Sequence, residues 1–275
     1  MRDESAAVDF GMRPLLLWVQ FDGGGFCGFQ RQGEGLRTVG GELEAAWQRK
    51  FDERVVMRSS SRTDAGVHAR RMPVLVRTRL AMPPKGAQLG LNAYLGDDLK
   101  VTSAEDLPEG FDVRADAIGK RYIYRVQPGP VRLPLWRRNS WHCKGRLDLV
   151  AMRAAAERFV GAHDFAAFRS VQCTAATTLR TLHRVEVALA GEMVELTIEG
   201  NAFLHNMVRI LAGTLVGAGR HRFRPADVDA MLSAGDRSLA GQTAPAHGLT
   251  LDDVFYGPYG AREGLRYKQH MAAGL

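Results

Sequence analysis

Ser61-Arg62-Thr63-Asp64-Ala65-Gly66-Val67-His68 stands between two apolar runs, Val55-Val56-Met57 and Val74-Leu75-Val76. Short runs of β-branched residues read as strands, and Ala65-Gly66 between them reads as a sharp turn. An Arg, an Asp and a His therefore meet on one inter-strand loop. A carboxylate presented on such a loop, with a cation two residues away, is favoured in its ionised form and available to a substrate. Ordinary turn chemistry uses the same residues, because Asp side chains bond their own backbone in turns. Composition alone leaves both readings open.

The chain of 275 residues is long enough for one large domain or two ordinary ones. Hydrophobic residues make up 45% and charged residues 24%, which places it among globular proteins and excludes a disordered chain. Lys and Arg number 37 against 30 Asp and Glu, a net charge of +7 that favours an acidic partner such as nucleic acid. Cys27, Cys143 and Cys173 lie far apart with no Cys-x-x-Cys, so neither a zinc knuckle nor a redox pair is implied. Sparse cysteine fits a reducing cytosol. The apolar run Leu15 to Val19 is too short for a signal core or a membrane span, and a soluble cytoplasmic protein is expected.

Leu15 to Phe21 reads as a buried strand. Gly23, Gly25 and Gly28 satisfy G-x-G-x-x-G directly after it, but loop-like Gln30-Arg31-Gln32-Gly33 follows where a dinucleotide-binding fold needs a helix, so that reading is rejected. Thr38 caps an amphipathic helix through about Lys50, with Val39, Leu43, Ala46, Trp47 and Lys50 on one face. Gly119 to Val126 alternates, with Tyr122, Tyr124 and Val126 on one side and Arg121, Ile123 and Arg125 on the other. Arg132, Arg137, Arg138 and Lys144 are interleaved with Trp136 and Trp141, a composition suited either to a packed loop or to RNA contact. Asp148 caps a helix that stops at Gly161, and Gly191-Glu192 joins two alternating strands into a hairpin. Asn201 opens a helix to about Gly219 with an apolar stripe (Leu204, Val208, Leu211, Leu215) and a small, polar one (Ala202, His205, Arg209, Gly213). The second stripe predicts close approach to a strand or a ligand. A further helix starts at Pro225, and His247 to Leu251 is a strand.

The octet resembles the signature loop of the tRNA pseudouridine synthases of the TruA family. Other blocks match the family in the right order: Asp22-Gly23 through Gln30-Arg31-Gln32, Leu89 to Leu95, His163 to Arg169, Asn201 to Arg209, and Gly248-Leu249-Thr250-Leu251. Phe21 and Phe29 stand where the family has Tyr and Trp; both keep a ring and lose a polar handle. Tyr94 and Gly96 are further departures. The resemblance runs from about Trp18 to Tyr256.

The element order is similar in the two halves. It predicts an α+β fold of two similar α/β units with mainly antiparallel sheets joined into one continuous sheet, helices on one side, the pseudouridine synthase fold. The expected limits are an N-terminal domain over residues 14–115 carrying the Asp loop, a C-terminal domain over 116–260, and tails over 1–13 and 261–275. The resemblance implies isomerisation of uridine to pseudouridine in the tRNA anticodon stem-loop at tRNA positions 38, 39 and 40. It implies no cofactor and no metal, a homodimer, and no membrane partner.

By the same resemblance Asp64 is the catalytic nucleophile, kept ionised by a salt bridge to Arg209, and Tyr122 is the active-site tyrosine that stacks on the uracil. Carboxylates suit an oxocarbenium-like centre at C1′. With a phenol pKa of about 10, a free phenolate at Tyr122 is scarce at neutral pH. Arg62 fills the gap left by the flipped nucleotide or binds its phosphate, as flipping is required for chemistry inside a stacked helix. Leu251 packs against the base or Tyr122. Arg31, Lys120 and Arg121, with Arg70, Arg71, Arg220 and Arg222, are expected on phosphates. His68 is read as structural. The rival readings are a synthase of the same fold acting on other RNA uridines, a non-catalytic RNA-binding protein, and a metal-dependent hydrolase using Asp64 and His68. The last lacks further ligands at metal spacing.

Overall fold

The structure is a computed structural model that describes residues 11–33 and 35–257. The expected tail 261–275 and residues 1–10 of the expected tail 1–13 lie outside them. Among the described residues, ten strands and five α-helices make an α+β fold. The chain divides between Ala117 and Ile118, and again between Asp253 and Val254, into two compact units.

The first unit contains β1 (Arg13–Phe21), α1 (Val39–Phe51), β2 (Arg58–Ser59), β3 (His68–Thr78), α2 (Pro84–Asn92) and β4 (Leu99–Asp106). β1 lies between β3 and β4 and pairs antiparallel with both, Leu15 opposite Val76 on one side and Asp106 on the other. Leu15, Leu16 and Leu17 are all fully buried. The strand is thus covered on both faces, which is why its sequence is continuously apolar rather than alternating. Thr38 caps α1, its Oγ1 accepting the Gly41 N–H at 3.2 Å. Leu43 and Trp47 of α1 are fully buried. The expected strand at Val55-Val56-Met57 is absent. The Met57 N–H donates to Glu44 Oε1 at 3.0 Å instead of to a ladder, Val56 is exposed, and only Arg58 and Ser59 pair with β3.

The second unit contains β5 (Ala117–Pro128, from Ile118), β6 (Trp141–Cys143), α3 (Leu149–Glu157), β7 (Gly161–Asp164), β8 (Leu179–Ala190), β9 (Met193–Gly200), α4 (Met207–Gly219), α5 (Pro225–Ala234) and the start of β10 (Leu249–Tyr256). Strands β5, β9, β8 and β7 follow one another, each pair antiparallel, and β6 adds to β5 in parallel. The alternation read in β5 sorts the pairs: Tyr122, Tyr124 and Val126 face Ile198, Leu196 and Val194, while Arg121 and Arg125 face Glu199 and Glu195. Helix α4 begins at Met207, later than Asn201. The Asn201 Oδ1 accepts the N–H groups of Thr181 and Ala202, and Asn206 takes a left-handed φ of 62°, so the intervening backbone is engaged outside a helix. Every residue of α4 except Arg209 is buried, as expected of a helix apolar nearly all round. No helix among the described residues is long and apolar enough to cross a membrane.

Glu53 ties α1 to the end of β3. Its carboxylate accepts from Trp47 Nε1 at 3.0 Å, Thr78 Oγ1 at 2.5 Å and the Arg79 N–H at 2.8 Å. Burial pushes the carboxyl pKa up, but these donors outweigh it and hold the group below its ordinary value. Its contribution is therefore present above the unfolded-state pKa and is lost as pH falls through the folded one. Glu53→Gln should cost about 1 kcal/mol near neutrality. Urea unfolding as a function of pH should show the difference from wild type closing as the solution is acidified.

Candidate active site

The Asp64 turn is held mainly by backbone. The Val67 N–H donates to the Asp64 carbonyl at 3.2 Å, and Gly66 supplies the positive φ of 79° that the turn requires. The glycine-rich segment after β1, which forms a 3₁₀ turn at Gly23–Gly25, lies directly against it. The Phe29 N–H donates to Thr63 O at 3.2 Å and the Gly66 N–H to Phe26 O at 3.4 Å. A Cβ on Gly23 would stand 2.0 Å from Val67 O, and one on Gly28, itself at φ 89°, would stand 2.7 Å from Thr63 O. The three glycines that mimic a dinucleotide fingerprint thus serve, at positions 23 and 28, to let two backbones touch.

His68 closes the other end of this contact. Its buried Nδ1 lies 3.1 Å from the Gly23 N–H and equally 3.1 Å from Asp22 Oδ1. The Gly23 N–H is the donor to Nδ1, which in a neutral imidazole leaves the proton on Nε2; Asp22 Oδ1 accepts from Gly24 at 2.9 Å. Arg37 anchors the glycine segment from behind. It forms a two-point ion pair with Asp98 at 2.6 and 2.9 Å and lies 4.2 Å over the Phe26 ring, while the Asp22 N–H donates to Asp98 O. Nothing in the sequence singled out Arg37 and Asp98, since they lie 61 positions apart.

Of the residues expected at the site, Arg62 and Asp64 belong to the first unit and Tyr122, Arg209 and Leu251 to the second. Arg62 is exposed and forms no ion pair among the described residues; Asp64 is half-buried. Arg31 is exposed, and Arg71 lies 4.0 Å over the Trp18 ring. Tyr122 is buried at its position on β5 with its ring edge-on to Phe203, centroids 5.0 Å apart. Leu251 is fully buried. Arg209 lies in the first turn of α4. Its Nε donates to Ala244 O and its Nη1 to Asn206 Oδ1, both at 2.7 Å, and Ala244 N–H returns a bond to Arg209 O. The same strip of chain continues along the helix: Gly241 N–H bonds Thr214 Oγ1, and a Cβ on Gly213 would stand 1.8 Å from Gln242 O. The small stripe predicted on α4 is therefore where residues 241–244 run against it. Tyr124 then donates to Pro245 O at 2.8 Å. Asn206 and residues 241–245 are the parts of this unit that reading the sequence missed; an Asn just before a long apolar helix was the available sign.

Arg121 has a different setting from a phosphate contact. Its Nε donates to Asp252 Oδ2 at 2.6 Å, and Glu199 and Asp253 lie at 3.4 and 3.8 Å. All three acids are buried. Arg184 reaches the same Glu199 at 3.6 Å. Lys120 precedes this cluster on β5 and is half-buried. Among the described residues, no group of three or more His, Cys, Asp or Glu is placed to hold a metal ion.

Comparison with known proteins fixes the class. A family model described as tRNA pseudouridine synthase matches residues 155–257, and pseudouridine synthases are isomerases. The tRNA pseudouridine synthase A of Geotalea daltonii is 42% identical over 245 residues, covering 89% of this chain and 100% of the relative. Those of Geotalea uraniireducens and Pelobacter propionicus are 44% and 46% identical with the same coverage. The chain belongs to the tRNA pseudouridine synthase A family. Among solved structures, the archaeal box H/ACA sRNP Nop10-Cbf5 complex covers 99% of this chain and 59% of that chain at 11% identity, with a TM-score of 0.37, too low to support an argument.

Two outcomes follow from this geometry. Gly28→Ala should lower isomerase turnover on tRNA about 100-fold, the scale of an ångström-sized misplacement, whereas Gly33→Ala, with open space around it, should leave the rate unchanged. Arg121→Gln should lower unfolding stability by about 3 kcal/mol, because it strands buried carboxylates. The salt dependence of its tRNA binding should match that of wild type.

Proposed function

We propose that the chain isomerises uridine to pseudouridine in the anticodon stem-loop of tRNA, at tRNA positions 38, 39 and 40, with Asp64 as the nucleophile. The observation that carries the reading is the Asp64 turn itself. A half-buried carboxylate sits on a loop fixed by backbone contacts, beside the exposed Arg62.

The reaction is a balanced rearrangement. The Asp64 carboxylate attacks C1′ as the C1′–N1 bond breaks and its electron pair leaves with uracil. The base turns, C5 bonds to C1′ as the carboxylate departs, and the proton on C5 is transferred to N1. A fixed carboxylate favours this path because no reorganisation is needed as charge develops at C1′. In this proposal Arg209, oriented by Asn206 and Ala244, supplies the positive charge that keeps Asp64 ionised. Tyr122 stacks on the uracil from a position set by Phe203. Arg62 occupies the place vacated by the flipped nucleotide. Arg31 and Lys120 contribute to phosphate binding. The resemblance supports a cytoplasmic homodimer as the working form. A synthase acting on other RNA uridines is the second reading.

Tritium placed on uracil C5 of unmodified tRNA reports the C5–H cleavage directly. Wild type should release it, and Asp64→Ala should lower release to background, a loss of at least a thousandfold; equal release by the two proteins would remove Asp64 from its role. Mapping the product by position decides between the stem-loop sites and other uridines.

A further inference from the structure

Two basic segments that are distant in sequence come together in the second unit. Lys144-Gly145-Arg146 follows β6, and Arg220-His221-Arg222 follows α4. Arg220 Nη2 donates to Lys144 O at 3.3 Å, and the Asp148 N–H donates to Gly219 O at 2.9 Å, so residues 144–148 are pinned at both ends to the end of α4. Lys144, Arg146, His221 and Arg222 are exposed. Among the described residues, no carboxylate pairs with Lys144, Arg146 or Arg222. The acid at hand is occupied: Asp148 Oδ1 caps α3 through the N–H groups of Val150 and Ala151, and its Oδ2 lies 3.5 Å from His221.

The turn that makes this cluster is strained. His221 has a left-handed φ of 58° at the position where a helix normally ends on glycine. The His221 N–H bonds Ala218 O and the Arg222 N–H bonds Gly217 O, both at 2.9 Å, which is the full Schellman pattern. The attraction of cations to a helix C-terminus accounts for Arg220 alone; it does not account for Lys144 and Arg146, which arrive from another strand.

Within the unit, the cluster is far from the residues proposed to act on uridine. Arg209 lies in the first turn of α4 and Arg220 caps its other end, a separation of about 16 Å at about 1.5 Å per residue. Tyr122 lies midway along β5, whereas Cys143, just before Lys144, pairs with its last residue, Pro128, about 20 Å from Tyr122 at about 3.3 Å per residue. A patch at that distance cannot hold the reacting nucleotide but can hold phosphates elsewhere on the same RNA.

We infer that Lys144, Arg146, Arg220 and Arg222 form a secondary phosphate-binding surface for the tRNA backbone. It sets affinity and takes no part in the chemical step, and it rests on the reading of tRNA as substrate. Each phosphate neutralised contributes about 0.7 to 0.9 to the slope of log affinity against log salt.

The test compares wild type with Lys144→Glu/Arg146→Glu/Arg222→Glu on full-length unmodified tRNA. The triple variant should bind at least tenfold more weakly, with a salt slope flatter by about 2, while kcat at saturating tRNA stays unchanged. The neutral pair Lys144→Gln/Arg222→Gln, the milder change, should flatten the slope by about 1.5, with an unchanged thermal melt. Unaltered affinity and slope in the neutral pair, or a fall in kcat with an unaltered slope, would overturn the inference. Failure of wild type to release tritium would instead sink the functional reading, and the binding slopes are measured independently of turnover.

Discussion

Everything proposed for the first unit depends on two stretches of backbone lying closer than side chains allow. Residues 23–29 and 61–68 meet at Gly23 against Val67 and at Gly28 against Thr63, with distances at which any Cβ would collide with a carbonyl oxygen. Two inter-segment amide bonds and the Gly23 bond to His68 fasten the contact. The consequence for Asp64 is mechanical. A turn stitched through main-chain atoms has few soft backbone torsions left, so the Cα from which the Asp64 side chain projects is held in place. The glycine segment would be a poor brace if it were loose. Arg37 and Asp98 prevent this by closing the first unit behind it.

The second unit uses the same device on a helix. Gly213 and Gly241 let residues 241–244 run against α4 at backbone distance, and Thr214 fastens the crossing. Since the rest of α4 is buried and apolar, Arg209 is the only part of the helix that can carry charge to a surface. Its guanidinium donates to the Asn206 side-chain amide and the Ala244 carbonyl, which tie it to the start of the helix and to the crossing strip.

Periodicity and capping made much of this legible. Thr38, Asp148 and the hairpin at Gly191 were readable because local chemistry decides them. The small stripe on α4 announced a close approach, although not what would approach. The failures share a cause. Val55-Val56-Met57 has strand composition, but Glu44, thirteen residues away, takes the Met57 amide. Asn201 begins a helical pattern, but its side chain engages Thr181 of β8. Local propensity was overridden in each case by one hydrogen bond to a residue distant in sequence. The settings of Arg37, Arg121 and Arg220 were illegible for the same reason, as an arginine reads identically whether a carboxylate awaits it or not.

The net charge of +7 acquires meaning only once the arginines are sorted by partner. Arg37 and Arg121 are consumed by Asp98 and by the trio Asp252, Asp253 and Glu199, and Arg125 and Arg158 by Glu195 and Asp229. Such pairs are short-range and contribute little field beyond a Debye length of about 8 to 10 Å. Acids such as Asp148, Asp164 and Asp227 are likewise turned toward backbone amides. What a polyanion meets is therefore set by which charges stay exposed, among them Lys144, Arg146 and Arg222, with which no carboxylate of the described residues pairs. A protein with the same composition but its arginines paired differently would share the sequence statistics and present a different surface; it is the pairing, set by the fold, that decides which charges a ligand can meet.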